Sequence, residues 1–295
     1  MGYKLFLGEF FNEFTNTAGN DYFYIPAEDF NTMHDNMTAP RADEFSVGAE
    51  RALIDDLAAK LYFTGKFTRN LYAFDETNLF WDEDGYNIIG SGNGSFVTNY
   101  RYRTPDIAQR NYLRTDIGLN KVWSNRWEAQ FNYSYTFSRG TAQNSPTSFL
   151  SVPQQTEYFV GSYLPTDIRH DITGGFAWEL PDDPWTTRLG ATFFLESGYP
   201  ISRTYNNGNY GDYGRGYIFK ETAGSYARSQ TWYELNLLVQ QAIPVRKGKL
   251  WGICQLDNVT NARTGWSSFA SFDNRWIISS RQNPVRVTLG GRYEY

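Results

Sequence analysis

Between Arg126 and Arg139 the chain reads Arg-Trp-Glu-Ala-Gln-Phe-Asn-Tyr-Ser-Tyr-Thr-Phe-Ser-Arg, a period-two alternation with no break. Successive strand side chains point to opposite faces, so Trp127, Ala129, Phe131, Tyr133, Tyr135 and Phe137 share one side. Glu128, Gln130, Asn132, Ser134, Thr136 and Ser138 share the other. The apolar side is mostly aromatic and runs for about ten residues, roughly what a tilted strand needs to cross a bilayer. The stretch therefore predicts a lipid-facing strand, and the segments around it repeat its pattern.

A negative mean hydropathy would ordinarily argue against a membrane protein. The inference fails for barrels, because only alternate residues of each strand face lipid and no long apolar window arises. No stretch of about twenty apolar residues suggests a spanning helix. Aromatic residues make up 18% of the 295 positions, which suits interfacial girdles but also an aromatic-rich soluble β-protein that binds carbohydrate. The net charge of −5, with both signs intermixed, offers no basic stripe for nucleic acid. Cys254 is the only cysteine, which excludes an internal disulfide and a cysteine metal cluster. His34 and His170 lie far apart and form no i, i+4 pair, so neither a metal nor a cofactor is expected.

Ten segments carry the alternation. They cover 2–12, 44–53, 57–68, 112–123, 126–139, 169–180, 185–199, 233–243, 250–259 and 285 to the end. A further stretch, Phe96 to Thr104, is expected to extend a strand above the rest. Connections alternate between short turns, such as those around Ile54 to Asp56, Ser124-Asn125 and Pro244 to Gly248, and long polar loops. Soluble sandwiches have no reason to sort loop length by end, whereas bacterial outer-membrane barrels have short periplasmic turns and longer extracellular loops. The expected fold is thus all-β, an antiparallel transmembrane β-barrel segment of about ten strands. The final strand carries Val287, Leu289, Tyr293 and a terminal aromatic, Tyr295, at alternate positions. That ending resembles the assembly signal by which the barrel-assembly machinery recognises outer-membrane barrels. Met1 to Glu9 reads as a strand and lacks the apolar core of an export leader, so the chain is expected to be the downstream part of a longer product.

Five stretches together resemble the C-terminal part of a TonB-dependent outer-membrane receptor, of the Oar-like type whose N-terminus carries a carboxypeptidase-regulatory-like domain. They are Ala39 to Glu50 (APRADEFSVGAE), Asp167 to Asp171 (DIRHD), Glu196 to Pro200 (ESGYP), Leu256 to Asn261 (LDNVTN) and Val285 to Tyr293 (VRVTLGGRY). The resemblance implies a barrel of about twenty-two strands around a plug, taking up a scarce ligand with energy delivered through TonB. Residues 1–295 would supply the C-terminal barrel wall and its loops, and TonB would be engaged only through parts not in this chain. Ten strands alone would either close into a barrel filled by its own side chains or leave two edges that lipid does not tolerate.

Within that frame the loop from Tyr199 to Tyr217 is the expected ligand contact. Tyr205, Tyr210, Tyr213, Arg215 and Tyr217 alternate there with Asn and Gly, offering stacking area and adaptable hydrogen bonds to an extracellular peptide, sugar or chelate. Inward-facing Glu128, Arg188, Glu196, Arg286 and Arg292 would face the plug or water. The alternative is an autonomous small barrel with adhesion or omptin-like protease activity, the latter using Asp82, Asp84, His170 and Asp171. A carboxylate-oriented imidazole activates water in such a site. Asp82 to Gly85 also begins like a calcium loop, but position twelve is Asn93 rather than Glu. Asn93-Gly-Ser and Asn258-Val-Thr fit a glycosylation pattern without significance in a bacterial barrel. No catalytic residue is assigned.

Overall fold

The computed structural model describes residues 32–33, 37–76, 78–81, 88–92, 100–141, 147–149, 161–181, 185–202, 204–206, 217–219, 222, 224–270 and 276–295. The alternating segments become nine long strands. These are β1 (Arg41–Ile54), β2 (Leu57–Arg69), β3 (Arg110–Ser124), β4 (Trp127–Gly140), β5 (His170–Glu179), β6 (Thr187–Glu196), β7 (Trp232–Val245), β8 (Gly248–Asp257) and β9 (Arg286–Glu294). They pair antiparallel in strict chain order, and the two-residue strand Ser162–Tyr163 adds to β4 as the tenth member of the sheet. The segment expected over residues 2–12 lies outside the described residues.

Ladder register lays the alternation out in rows. Leu61, Ile117, Tyr133, Ile172, Leu195 and Tyr233 run side by side across six strands, as do Phe176, Ala191, Leu237, Leu256 and Val287 across five. Many of these apolar side chains remain exposed, among them Val47, Leu61, Phe176, Val287 and Leu289. A water-soluble protein would bury such a contiguous surface. On the opposite face polar rows run parallel to them, such as Asp116, Ser134, Asp171 and Glu196. Ion pairs populate that face, with Lys66 3.1 Å from Glu44, Arg114 2.8 Å from Asp116, and Arg188 2.9 Å from Glu179. Of the inward residues, Arg286 pairs with Asp257 at 2.7 Å, and Arg188 and Arg292 cover the ring of buried Trp251.

Three of the connections at one end are tight two-residue turns, between Ile54 and Leu57, Ser124 and Trp127, and Val245 and Gly248. Asn125 and Arg126 both adopt positive φ, the two-residue geometry whose twist matches the flanking strands. The expected turn at Pro244 begins later, because Pro244 and Val245 continue β7 opposite Lys249 and Gly248. Proline is tolerated there because the ladder to β6 ends at Gln241, so no N–H is required on that side. Strand β6 is shorter than expected and stops at Glu196 rather than Tyr199. Long connections occupy the other end. One holds a small side sheet in which Tyr100–Arg103 pairs with Tyr72–Glu76, within the stretch expected to extend a strand. Among the described residues, β1 pairs only with β2 and β9 only with β8, and both edge strands are exposed along their whole length.

The β1–β2 turn is fastened to its neighbour. Asp56 lies 2.6 Å from Lys121 Nζ and accepts a hydrogen bond from Ser124 Oγ, and Lys121 Nζ sits 4.5 Å from the centroid of the Trp127 ring. Hydrogen bonds from Lys121 and then Ser124 hold the Asp56 carboxyl below the usual carboxylate range. A carboxyl whose folded value is depressed stabilises the fold above its unfolded value and loses that contribution as pH falls through the folded one. Thermal melts of the detergent-solubilised protein should therefore show stability falling as pH drops below about 4, with Asp56→Asn removing part of that slope. An unchanged slope in the variant would show that the turn is not held this way.

Candidate extracellular binding site

Three of the long loops, β4–β5, β6–β7 and β8–β9, leave and rejoin the sheet through polar knots built on the short motifs. Asp167, fully buried, accepts hydrogen bonds from the Ser138 amide at 2.7 Å and Arg169 Nε at 2.7 Å, and a further one from Arg228 Nη2. Arg228 Nη1 also donates to the backbone carbonyls of Asp167 at 2.6 Å and Gly198 at 3.0 Å. One carboxylate thus ties the base of the β4–β5 loop to that of the β6–β7 loop. Around Gly198, Tyr199 N donates to Ser229 Oγ at 3.0 Å and Ser229 N to the Tyr199 carbonyl at 2.9 Å. The two chains run so close that a Cβ on Gly198 would lie 1.8 Å from the Ser229 carbonyl oxygen, which is why glycine stands there. Asn258, buried with φ of 50°, fastens the β8–β9 loop. Its side-chain amide donates to the Ala262 and Asn283 carbonyls at 2.9 and 2.6 Å, and its oxygen accepts from the Ala262 amide at 3.1 Å.

Between these knots lies a cavity of about 570 Å³, lined by Glu196, Tyr199, Gln230, Trp232, Arg281 and Gln282 among others. Trp232 stands edge-on to Phe194, with ring centroids 5.7 Å apart. Both residues fall on the polar face of their strands, where register places them beside Glu234, Glu196 and Thr173. Gln282 Nε2 donates to the Tyr233 carbonyl at 3.0 Å, leaving its buried Oε1 without a hydrogen-bond partner among the described residues. An aromatic wall, several amides and one charge of each sign suit a ligand with both apolar surface and hydrogen-bonding groups.

Of the residues expected to contact ligand, Tyr205 and Tyr217 lie in a short ladder, Thr204–Asn206 against Tyr217–Phe219, where Asn206 pairs with Tyr217. Tyr210, Tyr213 and Arg215 lie outside the described residues, as do Asp82 and Asp84. The cavity sits at the base of that loop, so Trp232 and Gln282 were missed by a reading that looked only at loop composition. A signal existed for Trp232 and Phe194, since both are aromatic residues in polar parity. Nothing in the sequence marks Gln282. The omptin-like pairing fails on geometry, because His170 and Asp171 project to opposite faces of β5. His170 stacks on Tyr133, whose hydroxyl lies 3.0 Å from its Nδ1, whereas Asp171 lies in the row with Ser134 and Glu196. Val287, Leu289 and Tyr293 share the exposed apolar face of β9, and Tyr295 packs edge-on to Tyr293 with centroids 4.9 Å apart.

No protein-family model matches the chain, and no curated protein sequence matches it. Solved structures do share its fold. The outer membrane transporter YddB from Escherichia coli superposes with a TM-score of 0.55 at 10% identity, over 89% of this chain and 34% of that one. The FrpB iron transporter from Neisseria meningitidis, F3-3 variant, gives 0.52 at 13% identity, over 88% of this chain and 32% of that one. The chain therefore spans about a third of the length of these transporters, and its fold is that of an outer-membrane barrel wall.

Removing the buried partner of two arginines leaves their charges uncompensated. Asp167→Ala is expected to cost about 3 kcal/mol, read as a lower urea midpoint of the detergent-solubilised protein, with Asp167→Asn in between. A loss within experimental error would mean that the loops are held by other contacts.

Proposed function

We propose that this chain forms part of the wall and extracellular mouth of a bacterial outer-membrane receptor that takes up a ligand in a TonB-dependent manner. The observation that carries the reading is the pairing of a continuous, exposed apolar face with a polar face on a meander whose long loops gather at one end. The sequence stretches resembling the Oar-like, carboxypeptidase-regulatory-like-domain type lend support. The motif residues Asp167, Gly198 and Asn258 hold the loop bases, which a family resemblance limited to strand ends would require. Energy coupling belongs to segments N-terminal to those described, through which the TonB complex would act.

In this reading the apolar face meets outer-membrane lipid, the cavity beside Trp232 receives ligand, and Tyr205, Tyr210, Tyr213, Arg215 and Tyr217 contact it from the loop above. Gln282 Oε1 is an acceptor that a ligand N–H or O–H would satisfy. Val287, Leu289, Tyr293 and Tyr295 present the row that the barrel-assembly machinery would read.

Two measurements test the reading. Phe176 and Ala177 are neighbours on opposite faces, with Phe176 in the apolar row and Ala177 beside Glu128. Phe176→Arg is expected to cost about 2–4 kcal/mol of stability in lipid, and Ala177→Arg less than about 1 kcal/mol. Equal costs would remove the membrane assignment. Separately, replacing residues 203–221 by a short Gly/Ser turn in the receptor is expected to lower uptake of its ligand at least about tenfold, and Trp232→Ala to weaken binding by a similar factor. Undiminished uptake in the loop variant would exclude the tyrosine-rich loop, and undiminished binding in Trp232→Ala would exclude the cavity.

A further inference from the structure

At the loop end of β2 to β5 the outer, apolar face finishes in arginines laid over aromatic rings. Arg69 lies over Phe67 at 5.7 Å. Arg139 lies over Phe137 at 5.1 Å and over Tyr163 at 4.1 Å. Arg169 lies over Phe137 at 4.8 Å and Tyr163 at 5.3 Å, and Arg228 reaches the same Tyr163 ring at 5.9 Å. Register joins the first two, since Phe67 is opposite Asn111, Asn111 is opposite Arg139, and Arg69 Nη1 donates to Asn111 Oδ1 at 2.8 Å.

Among the described residues the charges in this row do not balance locally. Asp167 serves Arg169 and Arg228, so within that set four guanidiniums share one carboxylate. Asp43, on the strand beside Phe67, is already held by Arg41 at 2.7 Å. Arg139 gives Nη2 to the Tyr163 hydroxyl, and its Nε is buried with no hydrogen-bond partner among the described residues. Arg69 Nη1 also donates to the Thr68 and Arg110 carbonyls at 3.0 and 3.3 Å, and Arg169 Nη1 to the Tyr135 hydroxyl at 3.0 Å, so rings and oxygens together hold these planar forks at the rim.

We propose that Arg69, Arg139 and Arg169 form a binding site for the phosphomonoester headgroup of an outer-leaflet lipid, an inference that rests on the outer-membrane reading above. The aromatic side chains Phe67, Phe137 and Tyr135 end the apolar face at the depth where rings sit against headgroups. Guanidiniums directly above them meet the phosphate layer. A phosphomonoester is dianionic and presents several oxygens, matching planar two-point donors better than a zwitterionic headgroup does. Such a lipid would supply an anionic partner for the row and would anchor the β2–β5 wall at the outer leaflet.

The test uses the purified outer-membrane protein that contains this chain, reconstituted in nanodiscs of phosphatidylcholine with or without a minor fraction of phosphatidic acid. Native mass spectrometry reads the lipids retained. Phosphatidic acid should be held in preference to phosphatidylcholine, Arg139→Gln should lower that preference about fivefold, and Arg69→Gln/Arg139→Gln should abolish it. Should the double variant fail to insert, Arg69→Lys/Arg139→Lys, which keeps the charge but loses the planar fork, is expected to retain an intermediate preference. Insertion with equal retention of both lipids, or an unchanged preference in the variants, overturns the proposal and leaves the membrane reading intact. Failure of the unaltered protein to insert overturns both. Displacement of phosphatidic acid by inorganic phosphate at matching concentration would assign a soluble-anion site and overturn the lipid assignment.

Discussion

A strand in hydrocarbon must find every backbone hydrogen bond within protein, because lipid offers neither donors nor acceptors. In the proposed membrane setting that constraint accounts for the ladders joining β1 through β9, whose register shifts fall beside the turns, at Ala52/Ile54 and Lys121/Ser124. It also sets the meaning of the side-chain alternation. With the backbone committed to the ladder, face is decided residue by residue, and a one-residue slip would carry Phe176 and Leu237 into the polar rows. Among the described residues the outer edges of β1 and β9 have no ladder partner, and the same rule requires one wherever such an edge meets lipid.

Above the ladders the loops face the opposite problem. They need defined positions without a sheet to impose them, and the chain uses buried polar side chains for this. Asp167 reaches across sixty-one residues of sequence to Arg228, and Asn258 closes its own loop through both amide and carbonyl. These contacts satisfy backbone groups that would otherwise be left buried and unpaired at the strand exits. The cavity beside Trp232 lies between them, so the groups lining it are positioned by the same side chains that hold the loops.

Strand positions were legible in the sequence because the signal is local. Alternation in 57–68 and 250–259 predicts β2 and β8 to within a few residues. The errors occur where a long-range contact decides. Pro244 stays in β7 because its ladder partner on one side has already ended, and β6 stops early because Gly198 must pass against Ser229. The binding region was less legible. A tyrosine-rich loop is conspicuous in composition, whereas Gln282 is an ordinary polar residue whose place beside Tyr233 comes from pairing across the sheet. Phe194 and Trp232 could have been found by asking which aromatic residues break the parity of their strands.

Pairing in strict chain order also bears on how the sheet is built. The β1–β2, β3–β4, β5–β6 and β7–β8 hairpins close over short connections, so each can form quickly and independently of the others. Joining one hairpin to the next means closing a long loop, which costs more entropy but grows only slowly with length. β9 has no hairpin partner of its own among the described residues and reaches β8 only across the 258–285 connection. It is thus the strand most easily delayed, a late arrival whose docking would determine when the exposed side of β8 is capped.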